Sequence, residues 1–200
     1  MMILRSAPAS PFGRKVRIAA AVLGLSDRIE VVNAETNDPE DELRRQNPLG
    51  KIPTLILDDG QALYDSRVIA QYLDELAGGG KIIPDGAGRL ATLTRQALAD
   101  GIMDAALLQI YEQRMREPAL RSAKWVEHQA GKVARALEAF EGDPPAAGSV
   151  DIASIALASA LGYLDLRFAG AWRAGRPALV AWLERFAAAV PAFEATRVLG

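Results

Sequence analysis

The pattern of apolar residues changes in type once along the chain, near residue 78, and this change constrains the fold more than any other feature. Before it, short apolar runs alternate with segments of helical periodicity, whereas every patterned segment after about residue 88 is helical. Gly78–Gly80 and Pro84–Gly86 separate the two parts, and such residues are typical of turns and linkers. We therefore predict a mixed α/β domain at 1–78, a linker at 79–88 and an all-helical domain at 89–200.

The first part is predicted to have the element order β-α-β-α-β-β-α. Apolar runs, amphipathic periodicity and turn residues indicate where each element lies. The predicted strands are Met2–Leu4, Ile29–Val32, Thr54–Leu57 and Ala62–Tyr64, and the predicted helices are Phe12–Leu23, Pro39–Gln46 and Ser66–Leu76. The dipeptide Asp59-Gly60 lies between the last two strands and is typical of a hairpin turn.

The second part is predicted to consist of helices alone. Prolines and glycines divide it into Arg89–Glu117, Ala119–Glu141, Val150–Arg167 and Pro177–Ala189. The most apolar stretch, Val150–Leu166, falls short of the ~18 uninterrupted apolar residues that a membrane span needs, and it has an aspartate near each end. This composition predicts a buried helix and no membrane partner.

Charge and cysteine content exclude several functional classes. The chain has 23 Lys and Arg, 25 Asp and Glu, one histidine (His128) and no cysteine. The near-neutral balance gives no electrostatic basis for nucleic-acid binding. Without cysteine there is no thiol nucleophile and no thiolate metal site, and one histidine in a mixed helical stretch indicates no metal. The N-terminal residues lack the apolar core of a signal peptide, so we expect a cytoplasmic protein.

The dipeptide Ser10-Pro11 precedes the first predicted helix. Both residues are favoured there as a helix cap. The same position could stabilise a bound thiolate, because a helix N-terminus carries partial positive charge and the Ser10 hydroxyl can donate to sulfur. Lowering a thiol pKa by about two units requires roughly 2.7 kcal/mol, which a charge-assisted hydrogen bond and the helix end can supply. The local sequence leaves both interpretations open.

Two later junctions carry a similar ambiguity. Ile52-Pro53 begins a strand, either as a tolerated edge position or as a backbone N–H and C=O that pair with a peptide-like ligand beside a cis proline. Asp65-Ser66 begins a helix, either as a cap or as a receptor for a zwitterionic amino-acid end. In the second case Ser66 would bind the carboxylate and Asp65 the ammonium group. Taken singly, each segment is explained by local structure.

The order of these segments resembles the cytosolic glutathione S-transferase family. The three segments are Ser-Pro-Phe-x-Arg-Lys-Val-Arg, Asn-Pro-Leu-Gly-Lys-Ile-Pro-Thr-Leu and Tyr-Asp-Ser-x-x-Ile-x-x-Tyr-Leu, and an all-helical half follows them. The resemblance covers nearly the whole chain and is closest to small bacterial serine-type members with a zeta- or omega-like first helix. It implies a thioredoxin-like βαβαββα domain followed by an all-helical C-terminal domain, and a homodimer.

The resemblance also implies a role for residues in each segment. Ser10 would lie next to the glutathione sulfur, with Phe12 at the mouth of the site. Ile52 would exchange backbone hydrogen bonds with the cysteinyl part of glutathione, and Pro53 would be cis. The remaining implied contacts are Lys51 with the glycyl end, Asp65 and Ser66 with the γ-glutamyl group, and Asp100 with the glutathione of the partner subunit.

The electrophile pocket would lie on one face of the helix Arg89–Glu117. Met103, Leu107, Leu108 and Tyr111 form an apolar stripe there at helical spacing, which core or dimer packing explains equally well. The stripe indicates a small apolar electrophile and no particular compound.

Three further features bear on the resemblance. Ser6 is an alternative serine for the site, but it fits the motif less well because it precedes the helix by several residues. The cluster Arg14, Lys15 and Arg17 either helps to hold a diacidic tripeptide or forms a solvated face. Gly148 stands where the family has the serine of a Ser-x-x-Asp cap, a loss of about 1 kcal/mol.

We therefore predict a glutathione transferase of the detoxification type. It would bind glutathione as co-substrate, lower the pKa of its thiol and add the thiolate to a small electrophile. The absence of cysteine separates it from reductases that form a mixed disulfide with the enzyme. Two alternatives remain, a zeta-like glutathione-dependent isomerase and a non-catalytic binding or regulatory protein of the same fold.

Overall fold

The computed structural model describes residues 1–146, 148 and 150–198, so the last two residues of the predicted helical domain lie outside it. The first part contains β1 (Met2–Ser6), α1 (Pro11–Val22), β2 (Ile29–Asn33), α2 (Leu43–Gln46), β3 (Thr54–Ile56), β4 (Ala62–Leu63) and α3 (Ser66–Leu76). The second part contains α4 (Gly88–Met115), α5 (Ala123–Gly142), α6 (Ile152–Phe168), α7 (Pro177–Ala189) and α8 (Ala192–Ala195). The predicted fold class, a βαβαββα unit followed by helices, is confirmed.

The four strands form one mixed sheet in the order β2-β1-β3-β4. β1 runs parallel to β2 and antiparallel to β3, and β3 runs antiparallel to β4. The β3–β4 connection is the predicted hairpin: the Leu57 N–H donates to the Gln61 carbonyl at 2.8 Å. Gly60 adopts φ +87° in this turn, a conformation that favours glycine.

Two predicted helices are shorter in the structure, and side chains explain both differences. Of Pro39–Gln46 only Leu43–Gln46 is helical, because the Asp41 carboxylate binds the N–H groups of Glu35 and Leu43 and so competes with helix formation. The helix predicted from Ala119 begins at Ala123, where Ser122 accepts a hydrogen bond from the Trp125 N–H at 3.2 Å. The four-residue α8 was not predicted, since it is too short to show periodicity.

Two apolar cores form, and α1 contributes to both. The smaller lies against the sheet and includes Leu4, Leu55 and, from α1, Val16. The larger lies among the helices and includes Ile18 of α1. Every residue of α6 from Ile152 to Leu161 is buried, most of them in this core, as predicted for this apolar helix. Among the described residues, no helix combines the length and apolar character required to cross a membrane.

The start of α6 differs from the expectation for Gly148. The N-cap is Asp151, whose carboxylate accepts from the Ser154 N–H at 2.8 Å, while the Ser154 hydroxyl accepts from the Asp151 N–H at 3.0 Å. Asp and Ser thus form a reciprocal capping box with their positions exchanged relative to Ser-x-x-Asp. The expected loss of about 1 kcal/mol of cap energy is therefore wrong.

The segment predicted as a linker is fixed at both ends. The buried carboxylate of Asp74 accepts hydrogen bonds from the N–H groups of Gly80, Lys81 and Ile82 at 2.8–3.0 Å. The Ile82 carbonyl in turn accepts from the Ile152 N–H at 2.8 Å. Because Ile82 is also buried in the larger core, this segment joins α3 to α6.

Candidate functional site

A cleft of about 390 Å³ lies between the sheet-containing part and α4. Most of the residues that the sequence singled out converge on it. They are Phe12, Lys51, Ile52, Pro53, Asp65, Ser66, Asp100, Leu107, Leu108 and Tyr111. Ser10 and Met103 are not on its wall.

Met103 is fully buried in the larger core, so the prediction that it lines the pocket is wrong. Successive helix residues differ by about 100° in direction. Asp104, Leu107 and Tyr111 face the cleft, whereas Met103 is turned away from them into the core. An apolar stripe at helical spacing does not show which of its residues face the core and which face the cleft.

Ser10 is the N-cap of α1, and its Oγ accepts a hydrogen bond from the Gly13 N–H at 3.1 Å. The cap interpretation of this residue is confirmed. Ser10 is half-buried and lines a separate small cavity, together with Pro11 and, from α6, Tyr163. An Oγ that accepts a hydrogen bond retains its own hydrogen to donate, so the cap does not prevent a contact with sulfur.

Ser6, the alternative serine, is enclosed at the end of β1. Its side chain is buried, and its Oγ has no hydrogen-bond partner in the described part of the chain. Gly13 packs directly on it: a Cβ at that position would lie 2.0 Å from the Ser6 Oγ. Ser6 therefore does not reach the cleft, and a glycine is needed where α1 crosses the end of β1.

Asp65 and Ser66 form the start of α3 at one wall of the cleft. The Asp65 Oδ1 accepts from the Arg67 N–H at 2.9 Å, which confirms its cap function. Ser66 is the first residue of the helix and is buried. The Tyr64–Asp65 peptide that precedes the helix is cis.

Ile52 and Pro53 lie immediately before β3, outside the strand ladder, and the peptide between them is cis as the resemblance implied. Asn47, the first residue of the segment Asn-Pro-Leu-Gly-Lys-Ile-Pro-Thr-Leu, holds this part of the chain in place. Its Nδ2 donates to the Lys51 carbonyl at 3.0 Å and to the Thr54 Oγ1 at 3.1 Å. A buried asparagine that spans the ends of the turn fixes the backbone of Ile52 toward the cleft.

Asp100 lies at the floor of the cleft in a buried ion network. Its Oδ1 binds the Lys15 Nζ at 2.7 Å, and its Oδ2 binds the Arg67 Nε at 2.8 Å. The side chains of Lys15 and Asp100 are 0% exposed, whereas that of Arg67 is 47% exposed. Burial lowers the pKa of Lys15, and the negative charge of Asp100 opposes this effect.

The expectation that Asp100 reaches the partner's glutathione is therefore wrong for this chain. Both carboxylate oxygens are engaged within the subunit, and the group has no exposed surface. Asp100 acts on the cleft through Arg67, a residue that sequence analysis missed. Its position directly after Asp65-Ser66 was the available signal.

The cleft presents both signs of charge. Lys51 and Arg67 supply positive groups, and Asp65 and Asp104 supply negative groups. Burial raises the pKa of Asp104, as does the nearby charge of Asp100, while Arg67 opposes both effects. Such a surface suits a ligand that carries carboxylate and ammonium groups together.

Two members of the basic cluster on α1, Arg14 and Lys15, form neither a solvated face nor part of the cleft wall. Arg14 is buried; its Nη2 donates to the Phe193 carbonyl at 2.6 Å and its Nε to the Thr196 Oγ1 at 3.2 Å. Burial lowers the pKa of Arg14 to about 10. A Cβ at Gly162 would lie 2.1 Å from this guanidinium, so glycine is required opposite it. Both interpretations of Arg14 and Lys15 are corrected: these residues connect α1 to the helical part.

His128 is exposed and stacks on Trp125 with ring centroids 5.9 Å apart. Within the described ranges, no group of three or more His, Cys, Asp or Glu residues is arranged to hold a metal ion.

Comparison with known proteins finds matches for both parts of the chain. Residues 9–76 match the model of the glutathione S-transferase N-terminal domain, and residues 123–185 match that of the C-terminal domain. The GST-like protein YibF of Escherichia coli K12 is 35% identical over 181 residues, which are 88% of each chain.

Two solved structures are similar to the whole chain. A glutathione transferase family member from Pseudomonas fluorescens Pf-5 with bound glutathione is 42% identical, with complete coverage of both chains and a TM-score of 0.93. A second structure of a family member from that organism holds S-(propanoic acid)-glutathione and gives a TM-score of 0.89, again at 42% identity and complete coverage.

Proposed function

The chain belongs to the glutathione S-transferase family, and from this premise we propose that it is a serine-type glutathione transferase. Glutathione is its co-substrate. The observation that carries the proposal is the convergence of the three sequence segments on one cleft that offers both signs of charge. Relatives of 42% identity bind glutathione and a glutathione thioether, which supports formation of a carbon–sulfur bond by this chain.

In this proposal the start of α3 binds the γ-glutamyl end of glutathione. The N-terminal N–H groups of α3 and the Ser66 hydroxyl take its carboxylate, and Asp65 takes its ammonium group. Arg67 adds a positive charge to the N–H groups at the start of α3. Only its Nε is engaged by Asp100, so the rest of the guanidinium remains available. Asp100 and Lys15 act as positioning residues for Arg67.

The segment before β3 binds the middle of the tripeptide. The backbone of Ile52 pairs with the cysteinyl residue in the manner of an added strand, and Asn47 keeps that backbone in place. Lys51 is exposed at the rim, where its ammonium group can approach the glycyl carboxylate.

The start of α1 activates the sulfur. Of its first three residues, Pro11 has no N–H and the Gly13 N–H is bound to the Ser10 Oγ, which leaves the Phe12 N–H. We propose that this N–H and the Ser10 O–H both donate to the thiolate, in the positive field of the helix end. The thiolate then attacks an electrophile held against Phe12, Leu107 and Leu108.

A second subunit is also part of this proposal. The N-terminal half of α4 exposes Leu90, Leu98 and Gly101, while α3 exposes Val68. Leu90, Thr94, Leu98 and Gly101 lie at helical spacing and form one apolar face beside the cleft. A second copy of the chain covering this face would bury these side chains.

Glutathione binding tests the proposal directly. The wild-type protein should be retained on immobilised glutathione, and isothermal titration should give a measurable Kd. Asp65→Asn should weaken the affinity about tenfold, because it removes the charge opposite the ammonium group. Since Asn caps helices as well as Asp does, α3 should remain intact. A folded protein that is neither retained nor raised in Tm by millimolar glutathione would instead favour a non-catalytic role.

A further inference from the structure

Residues 193–198, called segment 193–198 below, border the small cavity of Ser10, and the proposed function does not use them. Val198 lines this cavity together with Ser10 and, from α6, Tyr163 and Leu166. The cavity measures about 20 Å³, which is room for about one water molecule. On this side Ser10 therefore faces a narrow space and not bulk water.

Arg14 holds segment 193–198 in that position. Its Nη2 donates to the Phe193 carbonyl at 2.6 Å and its Nε to the Thr196 Oγ1 at 3.2 Å. Its guanidinium carbon lies 4.2 Å from the centre of the Phe193 ring. The Thr196 Oγ1 gives its own hydrogen to the Ala192 carbonyl at 2.7 Å, so a lone pair is left to accept from Arg14. One side chain of α1 thus fixes a segment that lies 179 positions further along the chain.

Arg14 also lies one helical turn after Ser10 and borders the same cavity. Its N–H donates to the Ser10 carbonyl at 2.9 Å, and its side chain lines the cavity together with Gly162 of α6. A Cβ at Gly162 would lie 2.1 Å from the Arg14 Nη1, so the guanidinium occupies the space that a larger residue would need. It therefore lies where the first turn of α1, α6 and segment 193–198 meet.

Arg14 keeps its charge in this buried position. The residue is 8% exposed, and burial lowers its pKa to about 10, so the guanidinium is positive at neutral pH. The carboxylates that act on it, Glu194 and Asp165, bind Arg197 and Arg173 respectively. The hydrogen bonds from Arg14 to segment 193–198 are charge-assisted and therefore stronger than neutral ones.

Water beside Ser10 would compete with sulfur for the hydroxyl hydrogen. The Ser10 Oγ accepts from the Gly13 N–H and has one hydrogen to give. If the cavity were open to bulk water, this hydrogen would be shared between water and sulfur, and water would weaken the field of the helix end. A hydrogen bond to the charged form is what lowers a pKa, so the narrowness of the cavity bears directly on the thiol.

We propose that Arg14 is a positioning residue for sulfur activation: it holds segment 193–198 against the cavity of Ser10, so that the hydroxyl donates to the thiolate and not to water. This inference rests on the proposed function and extends sulfur activation to residues at the other end of the chain. Arg14 does not line the cleft, so it acts on the sulfur through Ser10 and not by touching glutathione.

The thiol pKa of bound glutathione tests the proposal. It is measured from the ultraviolet absorbance of the thiolate over a series of pH values. Arg14→Met should raise this pKa by about one unit, the equivalent of one charge-assisted hydrogen bond. Thr196→Val removes the acceptor of the Arg14 Nε alone and should give a smaller rise. At a pH where the thiol stays protonated, the Kd for glutathione should remain within about twofold of the wild-type value in both variants.

Arg17→Met is the matched control. Arg17 lies on the same helix and lines a different cavity, together with Ala192 and Ala195 of α8. Its removal takes the same charge from the same helix but leaves the contacts of Arg14 in place. The thiol pKa should therefore keep the wild-type value in this variant.

Double variants show whether Arg14 acts through Ser10. Ser10→Ala should itself raise the thiol pKa. Adding Arg14→Met or Thr196→Val to Ser10→Ala should raise the value no further, because the hydroxyl that these residues position is gone. Rises that add in full would show that the charge of Arg14 acts on the sulfur directly, and they would overturn the inference.

An unchanged thiol pKa in the folded single variants Arg14→Met and Thr196→Val would overturn the inference as well. In that case a rise in Ser10→Ala would leave the proposed function standing. No rise in Ser10→Ala would overturn the serine-type assignment and the inference together. Thr196→Val replaces one hydroxyl by a methyl group, so it should fold even if Arg14→Met does not.

Discussion

At the scale of single residues, the Ser10 hydroxyl caps α1 and is also the group to which we assign activation of the sulfur. Its Oγ accepts the hydrogen bond that caps α1, and its hydrogen is left to donate. Asp65 likewise caps α3 and faces the cleft, where we propose that it binds the ammonium group of glutathione. The choice between a structural and a functional interpretation, which the sequence posed for each residue, therefore does not arise: the geometry that caps a helix also exposes polar groups at its start.

Ser10→Ala should lower turnover with a chromogenic nitroaryl halide about ten- to hundredfold, because the thiolate loses one charge-assisted donor. The affinity for glutathione should change little, since Ser10 does not line the main cleft. Steady-state kinetics and isothermal titration on the same preparation separate the two effects.

The matched control is Ser122→Ala, which removes the equivalent cap of α5. Each variant should lose about 1 kcal/mol of stability, but only the first should lose turnover. Wild-type turnover in Ser10→Ala would transfer sulfur activation to the Phe12 N–H and contradict the serine-type assignment.

At the scale of elements, the turns and helix ends are held by single carboxylates that accept several N–H groups. Asp74 fixes the segment after α3, Asp41 fixes the segment before α2, and Glu112 fixes the start of α5. Asp74 and Glu112 bind N–H groups that lie well beyond one helical turn along the chain. Asp41 binds N–H groups on both sides of itself and so interrupts the helical pattern before α2. These contacts explain why helix ends, rather than helix centres, differ from the sequence-based prediction.

The carboxylate of Glu112 should make stability depend on pH. The hydrogen bond from the Ser122 N–H lowers its pKa below the ordinary value of 4.5, and Arg116 lowers it further, against the opposing effect of burial. Between the two pKa values the unfolded chain binds more protons than the folded one. This stabilisation is therefore complete above about pH 4.5 and is lost as the pH falls through the folded-state pKa.

Thermal unfolding at a series of acidic pH values checks this expectation. The Tm of Glu112→Gln should fall less steeply with decreasing pH than the Tm of the wild-type protein. Glu127→Gln, which replaces an exposed carboxylate of α5, should follow the wild-type profile. Identical profiles for the wild-type protein and Glu112→Gln would show that this contact does not contribute.

At the scale of the whole molecule, α1 binds the two parts together. One of its faces lies in each apolar core, and its buried cations Lys15 and Arg14 reach α4 and the segment around α8. A buried cation that loses its partner is strongly destabilising. The cleft therefore lies between parts that are fixed relative to each other by apolar packing and by charge.

Introducing a charge on the exposed face of α4 tests the proposed dimer. Leu90→Glu should shift the protein to a monomer in light scattering after size exclusion, because a carboxylate would be buried between two subunits. Leu120→Glu is the matched control, since both leucines are well exposed, 76% and 69% respectively, but Leu120 lies between α4 and α5. A dimer that survives Leu90→Glu would exclude this face from the interface.

The sequence by itself determined the element order apart from α8, the hairpin, the caps of α1 and α3 and the three segments of the cleft. Such features depend on hydrogen bonds and apolar periodicity among residues a few positions apart, so α3 and α7 were predicted from end to end. Only the tertiary structure decided which of Ser6 and Ser10 is accessible, that Met103 faces the core, and that Asp100 joins Lys15 to Arg67. Lys15 and Asp100 are 85 positions apart. Such contacts depend on how α1 packs against α4, which no local pattern records.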